Sequence, residues 1–363
     1  MSERTARPRN PRIEALRLVA IAGIAVFHTF QPWFAAATDG AWAAEPLTLA
    51  ALGCTSLLGA YGNHVFFLVS GLFLIPRAAT ASSEPGYWPA QGRSLARRAL
   101  VIAATVALYG IAALAVSAWA FPLDGVELGQ FGWLVGGLEF IWVYLACVAA
   151  APVIGWAWQR CRHPRAVVCA LAAAAFAVNA YIAFVSPGSD VRGLLEWRKL
   201  MSAATYLVAF LVGGALGEKN LARPAPMLAA CGAVAPLAEV AAAFAGDLRL
   251  LEALSFKSTS LLSFALAVAS VALAAQPRPA KDAPTRRAVI ALAPSILGFY
   301  VAQSMFYTLW RSVADAACDA GLTLGGQAGL IVAGVAVSLA ILAVTLLVDH
   351  AVRIPLLRAA CLA

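Results

Sequence analysis

Charge is scarce in this chain. Asp, Glu, Lys and Arg make up 12% of its 363 residues, against 62% hydrophobic, where a soluble domain carries about 25% charged residues. That excludes an ordinary soluble fold. Histidine is scarcer still, with four in all. The seven cysteines stand at 54, 147, 161, 169, 231, 318 and 361. No pair has CxxC or zinc-finger spacing, so no Cys/His metal site is expected. Short alternating strands are absent, which excludes a transmembrane β-barrel. Also absent are an inverted repeat of the kind that marks secondary transporters, an appended soluble domain, and a short apolar signal core after the basic arm at 1–12.

What remains is apolar helix. Runs of about 20 residues, enough to cross a bilayer, recur at about 13–35, 55–76, 97–120, 131–157, 166–185, 199–217, 226–245, 257–275, 288–310 and 324–348. The fold class read from this is all-α: one polytopic membrane bundle of about ten helices over 1–363, ending in a tail at 349–363. Mean hydropathy is +0.81. The net charge of +8 does not point to nucleic acid, because the basic residues cluster between spans. Twenty of the 26 Lys and Arg residues fall on the side of the N-terminus, a bias that places both termini in the cytoplasm. The remaining six, Arg311 among them, are assigned to outer connections. Cys54 and Cys318 are read as facing outward, which leaves a disulfide between them open; the other cysteines read as small packing residues.

Two charges break the first span. Arg17 and His28 are eleven residues apart, about three helical turns, so they share one face with about 16 Å between them along the axis. Ionisable groups at such depth usually face the bundle interior and mark a functional path. The first span therefore reads as one wall of a polar cavity that opens at one membrane face and ends near His28. Neutral imidazole suits a general base. The guanidinium of Arg17 suits phosphate, although a pair with Glu14 at i−3 is the plainer reading. Further candidates are Arg97 and Arg98, where the third span begins; Ser70, whose pairing with Gly71 favours close helix approach; and Glu139 and Glu239, acids inside the fourth and seventh spans. His64 is placed at the outer mouth. His163 and His350 read as solvated.

Taken in order, R-x10-H at 17–28, HVFFLVSGLFLIP at 64–76, SLARRAL at 94–100 and FIWVYLACVAAAP ending at Pro152 resemble the acyltransferase-3 family of integral membrane acyltransferases. The first two elements match that pattern through Arg17, His28, Phe66, Phe67, Ser70 and Gly71. The chain departs from it at Val101, where a second arginine is common three residues after Arg98, and at Gln303, where a histidine is common. The resemblance implies a bacterial inner-membrane enzyme with no permanently bound cofactor. Its co-substrate would be acetyl-CoA or another acyl-CoA, and its acceptor a hydroxyl of a glycan or lipid-linked glycan, with polysaccharide assembly proteins as potential partners. Two other classes fit the residues less well: a transporter or flippase for a glycan or acyl donor, and a non-catalytic scaffold.

Overall fold

The computed structural model describes residues 10–127, 129, 132–185, 191–256, 259–277 and 284–362. The arm up to Arg9, Asp190, Lys257, Arg278 and Lys281 lie outside them, as do the side chains of Arg192, Glu196, Arg198 and Lys199. The described residues are helical throughout: α1 (Pro11–Thr38), α2 (Pro46–Ala81), α3 (Tyr87–Trp119), α4 (Gly132–Gly136), α5 (Glu139–Arg160), α6 (Pro164–Phe184), α7 (Val191–Glu218), α8 (Pro224–Ala245), α9 (Leu248–Ser255), α10 (Leu261–Ala275), α11 (Pro284–Leu292), α12 (Ile296–Met305), α13 (Tyr307–Ala351) and α14 (Arg353–Ala359). Among the described residues nine stretches are long and apolar enough to cross a membrane, with α11 and α12 together forming one of them and α13 with α14 another, and α10 is a shorter, apolar tenth.

Local chemistry sets the helix starts. Proline occupies the first turn of α1, α2, α6 and α8, where its missing N–H costs nothing and its fixed φ is already helical. Asn10 caps α1 by accepting from the Arg12 N–H at 3.0 Å. Asp247 and Ser260 cap α9 and α10 in the same way.

Hydrogen bonds between helix ends fix the direction of each leg. At the end that carries Asn10, here the proximal end, Asn10 donates to the Ala274 carbonyl and Arg12 to that of Gln276. Asn220 reaches the Ala272 carbonyl, and Tyr87 that of Pro152. At the distal end, the turn between α1 and α2 meets the middle of α13. There Gln327 accepts from the Glu45 N–H at 2.8 Å and donates to the Ala43 carbonyl. This is possible because α13 folds back on itself at Gly325 and Gly326, both non-helical. The ninth span, expected at 288–310, ends at Met305; α13 then starts at Tyr307, and the last span returns from the break at Gly325 and Gly326.

Helix α2 lies at the centre, packed by α1, α5, α7, α8 and α10. At 36 residues it is about 54 Å long, well beyond the expected 55–76. Gly71 is buried where α2 meets α7, and a side chain there would overlap the Phe210 carbonyl. The Ser70-Gly71 step thus lets two backbones touch. Cys54 and Cys318 are free thiols, with Cys318 fully buried, so the disulfide left open above is not formed.

Candidate functional site

A cavity of about 880 Å³ opens between the proximal parts of α1, α2, α3 and α12 and the first half of α5. Arg17 and Glu14 face it from α1, Ser70 and Phe66 from α2, and Arg93, Arg97 and Arg98 from α3. Phe140 and Tyr144 of α5, with Ile296, Leu297 and Tyr300 around the start of α12, add an apolar wall. Phe140 and Tyr300 stack at 4.6 Å between ring centroids, and Tyr300 meets Phe66 edge-on at 5.5 Å. The Arg17 guanidinium lies 5.8 Å from the centroid of that same Phe66 ring, within cation–π range.

The charges are unbalanced. Among the described residues Glu14 is the one acidic side chain lining the cavity, and it binds Arg17 at 2.8 Å. Among the described residues, Arg93, Arg97 and Arg98 form no ion pair and no side-chain hydrogen bond. Their donors are left to water or to a ligand. A cleft lined by one sign of charge attracts the opposite one, and the guanidinium fork is matched to phosphate.

His28 is not part of this lining, which corrects the expectation of one cavity reaching from Arg17 to His28. It sits half-buried further along α1, its ring 5.0 Å from that of Phe27. Its level is set by α13. Arg311 donates to the His28 carbonyl at 3.3 Å and to the Thr29 carbonyl at 2.9 Å. Arg311 is therefore no loop residue, as its place among the outer charges implied; its side chain is 12% exposed.

The other candidates scatter. His64 is fully buried in mid-α2, with Nδ1 3.3 Å from the Ser263 hydroxyl and its ring edge-on to Phe264. The expected outer mouth is not where it lies, because α2 begins nine residues earlier than expected and carries it inward. Glu139 is exposed in the first turn of α5 rather than inside a span; a carboxylate there complements the helix dipole. Glu239 is fully buried and accepts from the Ser255 hydroxyl at 3.0 Å, against Gly53. Gln303 is buried on α12 outside the cavity lining, and its carbonyl accepts from the Trp310 indole. Ser70 lines the cavity, but its hydroxyl is bonded to the Phe66 carbonyl at 2.8 Å, as in a helix-internal serine. His163 is exposed, whereas His350 is half-buried, with Nδ1 enclosed and without a hydrogen-bond partner.

Two groups escaped the sequence reading. Tyr300 brings to the apolar wall a buried hydroxyl that has no hydrogen-bond partner among the described residues. Behind the cavity, Arg353 and Asp349 form a buried bidentate pair, with Nε at 2.6 Å and Nη2 at 2.9 Å. Tyr109 donates to Asp349 at 2.8 Å, and Arg353 reaches Thr105 and the Pro294 carbonyl. Gly298 packs on Asp349 so closely that a side chain there would overlap the carboxylate. The segment expected to be a tail is thus helical to Ala359 and fixes α3. Only the i, i+4 spacing of Asp349 and Arg353 could have signalled it.

The family model described as an acyltransferase domain, acyltransferase-3, matches residues 10–350. The chain belongs to the acyltransferase-3 family. Among curated proteins and solved structures, none matches it. The two sharpest family elements, which carry Arg17 and Ser70, meet at the cavity, while His28 stands apart from them. As a member of this family, the chain is a multi-pass membrane acyltransferase.

Proposed function

We propose that this acyltransferase moves an acetyl group from acetyl-CoA, supplied by the cytoplasm, to a hydroxyl of a glycan or lipid-linked glycan. The observation that carries the reading is the cavity's three arginines, Arg93, Arg97 and Arg98, which have no ion-pair partner among the described residues. They suit the phosphates of the donor, and the apolar wall from Phe66 to Tyr300 suits its uncharged arm. The positive-inside bias supports a cavity mouth on the cytoplasmic side, in a membrane that this reading takes as the inner membrane of a bacterium.

In this reading Arg17, Arg97 and Arg98 hold the donor, and its acyl end must pass beyond the cavity's lining to meet His28, about 16 Å along α1 from Arg17. Neutral imidazole takes the acceptor's hydroxyl proton. The hydroxyl oxygen bonds to the thioester carbonyl carbon, the C–S bond breaks, and the proton passes to the leaving thiolate to give free CoA.

The test is thiol release from acetyl-CoA and acetylation of the glycan by detergent-purified protein. His28→Ala lowers transfer by about 100-fold or more while the protein stays folded. Equal acetylation of the glycan by wild type and His28→Ala overturns the assignment.

A further inference from the structure

Pro32 lies inside α1, four residues after His28. Proline has no N–H, so the His28 carbonyl loses its intrahelical donor. A carbonyl left so within a bundle is costly. The replacement comes from another helix. Nη1 of Arg311, on α13, reaches both the His28 carbonyl at 3.3 Å and the Thr29 carbonyl at 2.9 Å. The rest of the guanidinium is held by Asp315, one turn on, through Nε at 2.8 Å and a second contact from Nη2. A second tie lies beside it, where the hydroxyls of Ser338 and the fully buried Thr29 stand 2.8 Å apart.

We infer that Arg311, steadied by Asp315, is a positioning residue for acyl transfer: it closes the break that Pro32 makes in α1 and so fixes where His28 is presented. The inference deepens the reading of His28 as the base and rests on it. Three observations converge. A cation lies between α13 and α1 at the level of His28, with 12% of its side chain exposed, and enclosed charges in membrane bundles are usually functional. Its Nη1 is spent on the carbonyls of His28 and Thr29. The His28 carbonyl needs a donor because of a proline four positions on. A lysine cannot replace it, since one ammonium does not span two carbonyls and a carboxylate in the fixed fork of a guanidinium. Neither Arg311 nor Asp315 is among the residues lining the donor cavity, so the pair acts through α1 and not on the donor.

The experiment uses the full chain in detergent and compares wild type, Arg311→Met, Arg311→Lys, Pro32→Ala and the double variant Pro32→Ala/Arg311→Met. Thiol release from acetyl-CoA, with water as acceptor, gives kcat and KM. Diethyl pyrocarbonate labelling mapped by mass spectrometry gives the reactivity of each of the four histidines. Arg311→Met lowers kcat by about 100-fold, the scale expected when a reacting group is misplaced by about 1 Å, with KM for acetyl-CoA unchanged. Labelling of His28 rises by about tenfold as the unsatisfied break opens, while His64, His163 and His350 label as before. Arg311→Lys falls between. Pro32→Ala restores the missing N–H, so the double variant recovers most of the loss in both readouts. No change at His28 on removal of Arg311, or no recovery from Pro32→Ala, overturns the inference. If Arg311→Met does not fold, Arg311→Lys with and without Pro32→Ala decides in the same way. If instead His28→Ala retains thiol release, the base assignment fails, and the labelling comparison still decides whether Arg311 sets the position of His28.

Discussion

Arg93, Arg97 and Arg98 stand around an open cavity with no carboxylate of their own among the described residues. Arg311 and Arg353 lie between helices, each with an aspartate four residues away and carbonyls from a distant helix. The difference separates two uses of one side chain. A guanidinium enclosed by protein must be fully satisfied where it lies, because desolvation makes any unmet donor expensive. One at a water-filled mouth is left unpaired at little cost and remains available to a ligand. In a membrane bundle, then, charge alone does not mark a binding site; charge that the protein has not neutralised does.

The contrast breaks hardest at the enclosed pair. Asp349→Ala leaves Arg353 without its counter-charge and should destabilise the protein by about 3–5 kcal/mol, read by chemical or thermal unfolding in detergent. Removing cavity cations should do the opposite. Arg97→Ala with Arg98→Ala leaves unfolding unchanged but weakens acetyl-CoA binding by about 1.5–3 kcal/mol, seen as a higher KM with kcat retained, and added salt narrows the gap between variant and wild type. Unfolding at wild-type KM would place these arginines in the structural class. Gly298→Ala sharpens the comparison from the apolar side. The new methyl must displace the Asp349 carboxylate, an overpacking cost of about 1–3 kcal/mol, measurable as a lower unfolding midpoint. The smallest effect belongs to Arg165 and Glu218, a pair at 3.4 Å with both side chains more than 40% exposed. Arg165→Ala should shift stability by about 1 kcal/mol or less, and a larger loss would show that exposure is a poor guide to a pair's worth here.

Hydropathy made the bundle legible because each span carries its signal within its own residues. The first-span arginine and the FFxxSG element were legible for the same reason, being local patterns. The outline of the site was not, because a cavity is a meeting of distant helices. Arg93 carries no local pattern that marks a site, and only the packing of α3 brings it to the cavity that Arg17 also lines. His28 and Arg17 share a helix face, yet a shared face does not mean a shared cavity, since α13 covers the upper part of α1. Arg311 and Asp349 looked like loop and tail charges because sequence gives no sign that a helix will fold back at Gly325–Gly326, or that the chain's last turns will be buried. Tyr300 and Phe140 were hidden among many aromatic residues, with only their stacking to distinguish them.

The seam between α2 and α7 has one more consequence. Gly71 faces the Phe210 carbonyl, while Gly213 and Gly217 of α7 face carbonyls of Leu68 and Leu72. Surfaces this close have no side chains to re-pack, so they cannot slide by small rotamer adjustments and can only part. Helix α3, by contrast, meets its neighbours through side chains: Ile102, Val106 and Ala113 pack with Ile141, Val301 and Met305, and Tyr109 and Thr105 reach Asp349 and Arg353. The bundle thus has a keel of touching backbones and a flank held by side chains that can re-pack, and the flank is the part that bears the unneutralised arginines.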